Sequence, residues 1–158
     1  MDEEKIELSW NDVENYISIL VQKMKEVCPL PDLIVGIQYG GVVPALLLSK
    51  ALRIPLETMH MSIDDMSLFH KLLGYRNVLF MDDINDSGDT MHEIIDRMRD
   101  LWTPSNFMYS SASLIKRKSS KYRFGKCAVE VDHQEWFVFP WEHNEPPEKD
   151  SDRYVTLK

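Results

Sequence analysis

Val78, Leu79, Phe80 and Met81 form an unbroken apolar run that ends in two adjacent carboxylates, Asp82 and Asp83. Such a run fits a strand covered on both faces, which is the situation of a parallel sheet flanked by helices. Ile84, Asn85, Asp86, Ser87, Gly88, Asp89 and Thr90 follow as a short polar segment. Met91, Ile94, Ile95, Met98 and Leu101 then recur at the spacing of one buried helical face. The stretch reads as strand, tight loop, helix, with the strand ending at Met81. In open α/β sheets ligands bind beyond the carboxyl ends of the strands, which is where this reading puts the two aspartates.

The loop has the chemistry of an anion site. Gly88 permits a tight turn or a close approach to a ligand. Ser87 and Thr90 supply hydroxyls, and the following helix offers unpaired N–H groups and the positive end of its dipole. Acids beside a phosphate site make sense if they hold sugar hydroxyls or a Mg²⁺ ion that bridges to the ligand. The sequence contains neither a P-loop nor a G-x-G-x-x-G fingerprint. The plainer alternative is an ordinary strand–helix connection with solvated acids and a Ser or Asp cap.

A second junction of the same kind lies upstream. Residues 33–37 are a short apolar strand, followed by Gln38, Tyr39, Gly40 and Gly41, and then by an apolar helix with Pro44 in its first turn. Paired glycines there let backbone N–H groups approach a diphosphate. Ser9 with Asp12 marks a helix start, and Trp10, Val13, Ile17, Leu20, Met24 and Val27 make its apolar stripe. Residues 56–63 alternate as a half-buried strand. Residues 62–76 have no clear period, and a short surface helix over 66–73 is the plain reading. Thr103 and Pro104 break the chain before a strand over 107–115, and Lys116, Arg117 and Lys118 follow it. Residues 127–131 are a further strand. Trp136 heads an aromatic run after four polar residues and offers a face on which a flat base can stack. Phe139 and Trp141 read as core.

At 158 residues the chain is expected to be a single domain over 1–142, followed by a charged tail over 143–158. Its net charge of −8 argues against nucleic-acid or anionic-membrane partners, which require a basic face. Cys28 and Cys127 have no zinc spacing and read as reduced thiols. The acidic opening has no apolar signal segment. These features lead to an expectation of a cytoplasmic protein.

The segment over 78–90 resembles the phosphoribosyl-diphosphate (PRPP) loop of the type I phosphoribosyltransferases: apolar strand, two acids, two variable residues, then acid, Ser or Thr, Gly, any residue, Thr. Residues 38–45 resemble the pyrophosphate loop of the xanthine–guanine type, except that Tyr39 stands where Arg is usual. Trp136, Phe137, Pro140, Trp141 and Glu142 resemble the purine-pocket end. The resemblance implies an α/β fold with a mostly parallel central sheet flanked by helices, and a small hood from about 63–74 and 132–142. It implies PRPP binding by Tyr39, Gly40, Gly41, Asp82, Asp83, Asp86, Ser87, Gly88, Asp89 and Thr90, with a cis peptide often present in the glycine loop. Asp82 and Asp83 hold the ribose and a Mg²⁺ cofactor. Asp86 is the candidate catalytic residue that handles the base proton. Lys116 reads the 6-oxo group of a purine, Trp136 stacks on the base, and Phe137 lends backbone groups to its edge. Arg117 and Lys118 are left to the surface. A homodimer or tetramer is expected.

The implied reaction transfers a phosphoribosyl group from PRPP to N9 of hypoxanthine, guanine or xanthine, a purine-salvage activity. One alternative is a non-enzymatic PRPP- or nucleotide-sensing regulator with the same fold, which Tyr39 would fit. A nucleotide or sugar-phosphate hydrolase is the other, and the absence of a nucleophile motif counts against it.

Overall fold

A computed structural model describes residues 4–26, 29–61, 66–100 and 106–142. In chain order the elements are β1 (Lys5–Glu7), α1 (Trp10–Lys25), β2 (Leu33–Gln38), α2 (Val42–Leu52), β3 (Leu56–His60), α3 (Met66–Leu72), β4 (Asn77–Asn85), α4 (Asp89–Asp100), β5 (Met108–Arg117), β6 (Lys126–Val131) and β7 (Trp136–Val138). Cys28, Asp64, Asp65, Thr103, Pro104 and the tail over 143–158 lie outside the described residues. Among the described residues, no helix is long and apolar enough to cross a membrane.

The central sheet has five parallel strands in the order β3-β2-β4-β5-β6. The pleat divides its apolar residues between two cores. Ile34, Leu79 and Met81 join α1 and α2 on one face. Leu33, Val35, Ile37, Val78 and Phe80 join α3 and α4 on the other. Runs such as Val78 to Met81 are apolar throughout because helices cover both faces of the strand.

The start of α1 follows the sequence reading. Ser9 Oγ accepts from the Asp12 N–H, and Asp12 Oδ2 accepts from the Ser9 N–H in return, closing a capping box. Val13, Ile17, Leu20 and Met24 are buried on one stripe. Each contributes about 1.5–3 kcal/mol of burial, so packing rather than intrinsic propensity fixes this helix. Trp10 departs from expectation: it is 52% exposed, with its ring 5.9 Å from that of Trp141. The segment read as a cover or a helix contains α3, and its Leu68, Phe69 and Leu72 are buried in the core.

Two features differ from the sequence reading. First, β4 runs to Asn85 rather than stopping at Met81, because β5 continues beside it and pairs Ile84 with Ile115 and Asn85 with Lys116. The two aspartates are therefore strand residues. Second, β1 pairs in parallel with β7, Ile6 opposite Phe137, in a separate two-stranded sheet.

Candidate functional site

Strand order reverses between β2 and β4: the chain leaves β2 toward β3 on one side, and leaves β4 toward β5 on the other. Such a switch point opens a crevice at the carboxyl ends of the two strands. The glycine loop follows β2 here, and the acid pair lies in the last turns of β4. The Gln38–Tyr39 peptide is cis. Gly40 lies against the acid pair, since a Cβ at this position would sit 2.1 Å from Asp83 Oδ2. Gly40→Ala must therefore displace that carboxylate. A loss of about 1–3 kcal/mol, typical of overpacking, is expected in thermal melts, together with loss of ligand binding by calorimetry. Unchanged melting and unchanged binding would show that the loop does not press on Asp83.

Successive strand residues point to opposite faces, so Asp82 and Asp83 serve two different clefts. Asp82 Oδ1 accepts from the Asp83 N–H at 3.0 Å, and Asp83 Oδ1 accepts from the Ile84 N–H at 2.7 Å. Burial pushes both carboxyls above the usual range, Asp82 the further, with the neighbouring charge of Asp83 adding to it. Among the described residues, no group of three or more His, Cys, Asp or Glu is gathered to hold a metal. Two carboxylates are hard oxygen donors that suit Mg²⁺, an ion that takes its remaining ligands from water and substrate phosphates. Because the two face different clefts, each carboxylate suits a ligand-borne Mg²⁺ as a single protein donor in its own cleft.

The first cleft is lined by Asp82, Asp86, Ser87, Gly88, Thr90 and Lys116, among others. Gly88 has φ +90°, and a Cβ on it would fall 2.5 Å from the Tyr122 nitrogen, so only glycine suits this turn. Ser87 Oγ accepts from the Asp89 N–H at 3.2 Å, and the Ser87 carbonyl accepts from the Lys121 N–H at 2.9 Å. Ser120 Oγ donates to Asn85 Oδ1 at 2.7 Å, and Asn85 Nδ2 donates to the Tyr122 carbonyl at 3.0 Å. The connection after β5 thus buttresses the phosphate loop from behind. Asn85, Ser120 and Tyr122 were not singled out in the sequence, because their pairing spans 35 residues or more and carries no local signal.

The second cleft is lined by Asp83, Ile84, Asp86, Arg117, Trp136, Phe137, Phe139 and Glu142. Trp136 is 53% exposed, whereas Phe137 and Phe139 are buried. Phe139 stacks on Trp141 with ring centres 4.8 Å apart. Asp86 and Ile84 line both clefts.

Lys116 is not brought to Trp136. Its Nζ donates to the Arg123 carbonyl at 2.9 Å and pairs with Glu130 at 3.1 Å, within the cleft of the phosphate loop. Arg117, expected on the surface, is 4% exposed and lines the aromatic cleft instead. The cause is strand length: β5 runs two residues past Ile115, and the pleat sends Lys116 and Arg117 to opposite sides. Asp89 and Tyr39 line neither cleft. Tyr39 is exposed, its ring edge-on to His60 with centres 5.2 Å apart.

A five-stranded parallel sheet with a switch-point acid pair, glycine loop and phosphate loop defines the class: the chain has the phosphoribosyltransferase fold. A purine phosphoribosyltransferase from Pyrococcus horikoshii Ot3 matches with a TM-score of 0.69 and 25% identity, over 93% of this chain and 99% of that one. The xanthine-guanine-hypoxanthine phosphoribosyltransferase of Helicobacter pylori matches with a TM-score of 0.69 and 20% identity, over 89% of this chain and 94% of that one. A hypothetical protein from Neisseria gonorrhoeae with bound ppGpp gives a TM-score of 0.74 at 21% identity, over 92% and 93% of the two chains. No family model matches the sequence, and no curated protein matches it.

Proposed function

We propose that this protein is a purine phosphoribosyltransferase that moves the phosphoribosyl group of PRPP to N9 of a 6-oxopurine, releasing pyrophosphate. The observation that carries this reading is the shared wall: Asp86 lines both the phosphate-loop cleft and the aromatic cleft, with the acid pair between them. A nucleotide has that layout, with phosphate at one end, base at the other and ribose in the middle. Ser87, Gly88 and Thr90 take the 5′-phosphate, Asp82 and Asp83 the ribose hydroxyls, Gly40 and Gly41 the diphosphate, and Trp136 the base. Asp86 stands at the sugar–base junction, where a carboxylate accepts or relays the base proton. Negative charge beside the ribose favours a cation-like sugar in the transition state. Asp82 and Asp83 would hold Mg²⁺, which supplies positive charge to the departing diphosphate. Residues near 132–142 would form the part of the hood that excludes water from the base side.

The test is to combine protein, Mg²⁺ and PRPP with hypoxanthine, guanine, xanthine or adenine separately and measure pyrophosphate release. Release with at least one 6-oxopurine and little with adenine is expected. No release with any base overturns the reading and favours a nucleotide-sensing regulator. Tyr39 in place of the usual Arg removes a charged fork for pyrophosphate and supports that second reading, as does the neighbour solved with ppGpp. Tight nucleotide binding without turnover would identify such a regulator.

A further inference from the structure

We propose that Arg117 is a positioning residue that clamps the Asp86 carboxylate and the segment leading into Trp136 into one unit, fixing the base relative to the proton-handling oxygen. The proposal rests on the transferase reading above.

The guanidinium makes three separate connections. Nη1 donates to the His133 carbonyl at 2.5 Å, and Nη2 donates to the Glu135 carbonyl at 2.9 Å. Nε lies 2.6 Å from Asp86 Oδ1 as an ion pair, without the alignment of a hydrogen bond. The same group sits over the Phe137 ring, 5.6 Å from its centre. A planar, delocalised cation has a fixed fork, so the positions of its partners are fixed relative to one another. These partners come from two distant parts of the chain: the phosphate loop and the link between β6 and β7.

Burial separates positioning from direct contact. Arg117 is 4% exposed, whereas the Asp86 side chain is 52% exposed. The cation is a nearly covered part of the aromatic cleft's lining, and the carboxylate is the open one of the pair. Two carbonyls would satisfy much of a structural arginine, and the third partner is the one carboxylate shared by both clefts. The link itself is short, since Lys118 N–H bonds to Val131 on one side and Trp136 N–H to Glu4 on the other. Between those anchors Arg117 holds two carbonyls, so its loss frees the approach to Trp136. A lysine at this position keeps the charge but has no fork.

The test uses Arg117→Lys and Arg117→Gln in the full chain. Arg117→Lys is expected to speed amide exchange over residues 132–137 by about tenfold or more, with β2 and α4 unchanged. The purine KM should rise by about tenfold while the PRPP KM moves by less than about threefold. Because the residue acts through Asp86, adding Arg117→Lys to Asp86→Asn should lower kcat by less than about twofold further. Equal rises in both KM values, or kcat losses that multiply in the double variant, would overturn the proposal and leave Arg117 a general structural residue. If Arg117→Gln fails to fold, Arg117→Lys carries every arm. If the wild type transfers to no base, the transferase reading falls, and exchange alone decides the clamp: unchanged exchange over 132–137 rejects it.

Discussion

Asp86→Asn is expected to reduce turnover by about 10²–10⁴-fold, the range of a lost general acid or base, while PRPP affinity changes by less than about threefold. Asparagine keeps the size of the side chain but accepts no proton. In the proposed function the 5′-phosphate is held by Ser87, Gly88, Thr90 and their backbone, which the substitution leaves in place. Asp86 also faces the Arg117 guanidinium, so a small stability loss of about 1 kcal/mol is expected from a pair whose acid is half exposed. Steady-state kinetics combined with PRPP titration separate the two effects. Parallel loss of turnover and affinity would mean that Asp86 binds substrate without handling the proton.

Asp82→Asn should push stability and function in opposite directions. Burial, with Asp83 beside it, raises the Asp82 carboxyl well above its usual range. A group whose pKa is higher folded than unfolded binds its proton more tightly in the native state. Its stabilising contribution is complete below the unfolded value, about 3.9, and disappears as pH rises through the folded value. Above the unfolded value the ligand-free protein therefore carries a stability cost at this position that a side chain which does not titrate would lack. Asparagine removes that cost, and its carbonyl can still accept the Asp83 N–H. A Tm rise of at least about 3 °C is expected at pH 7, since 1 kcal/mol moves a domain of this size by about 2–4 °C. The rise should shrink as pH falls toward 4, where both proteins are neutral at this position. PRPP affinity should fall by about tenfold or more, the lower range for losing a charge-assisted contact to the ribose or its metal. Melts across that pH range decide the point: a lower Tm for the variant at pH 7, or a difference independent of pH, would contradict the burial argument.

The parts of this architecture that were readable in advance are those written in contiguous residues. Val78 to Met81 announced a strand covered on both faces, Ser9 and Asp12 a capped helix, and Trp136 an exposed aromatic beside a buried run. Gly88 sits at a positive φ, and Gly40 and Gly41 sit where a Cβ would strike Asp83 and the Met81 carbonyl. What could not be read was set by partners far away. β4 extends to Asn85 because Ile115 and Lys116 lie beside it, and no local pattern carries that register. β1 has only three residues and gains its identity from β7. The Lys116–Arg117–Lys118 run looks uniformly solvated until the length of β5 is known; alternation then sends Lys116 to the phosphate side and Arg117 into the aromatic wall. A shift of one residue along a strand exchanges its two faces, so the end of β5 decides which of the two cations lies on the aromatic side.

The pairing of residues 5–7 with 136–138 has a kinetic consequence. During synthesis the first of these strands emerges from the ribosome well over a hundred residues ahead of its mate, and contacts so distant along the chain close late. A nascent polypeptide halted before Trp136 already contains the aspartates and the turn over 86–90, yet lacks Trp136, Phe137, Phe139 and Glu142 of the second cleft, the proposed seat of the base. Substrate discrimination would be the last property this molecule acquires as it is made.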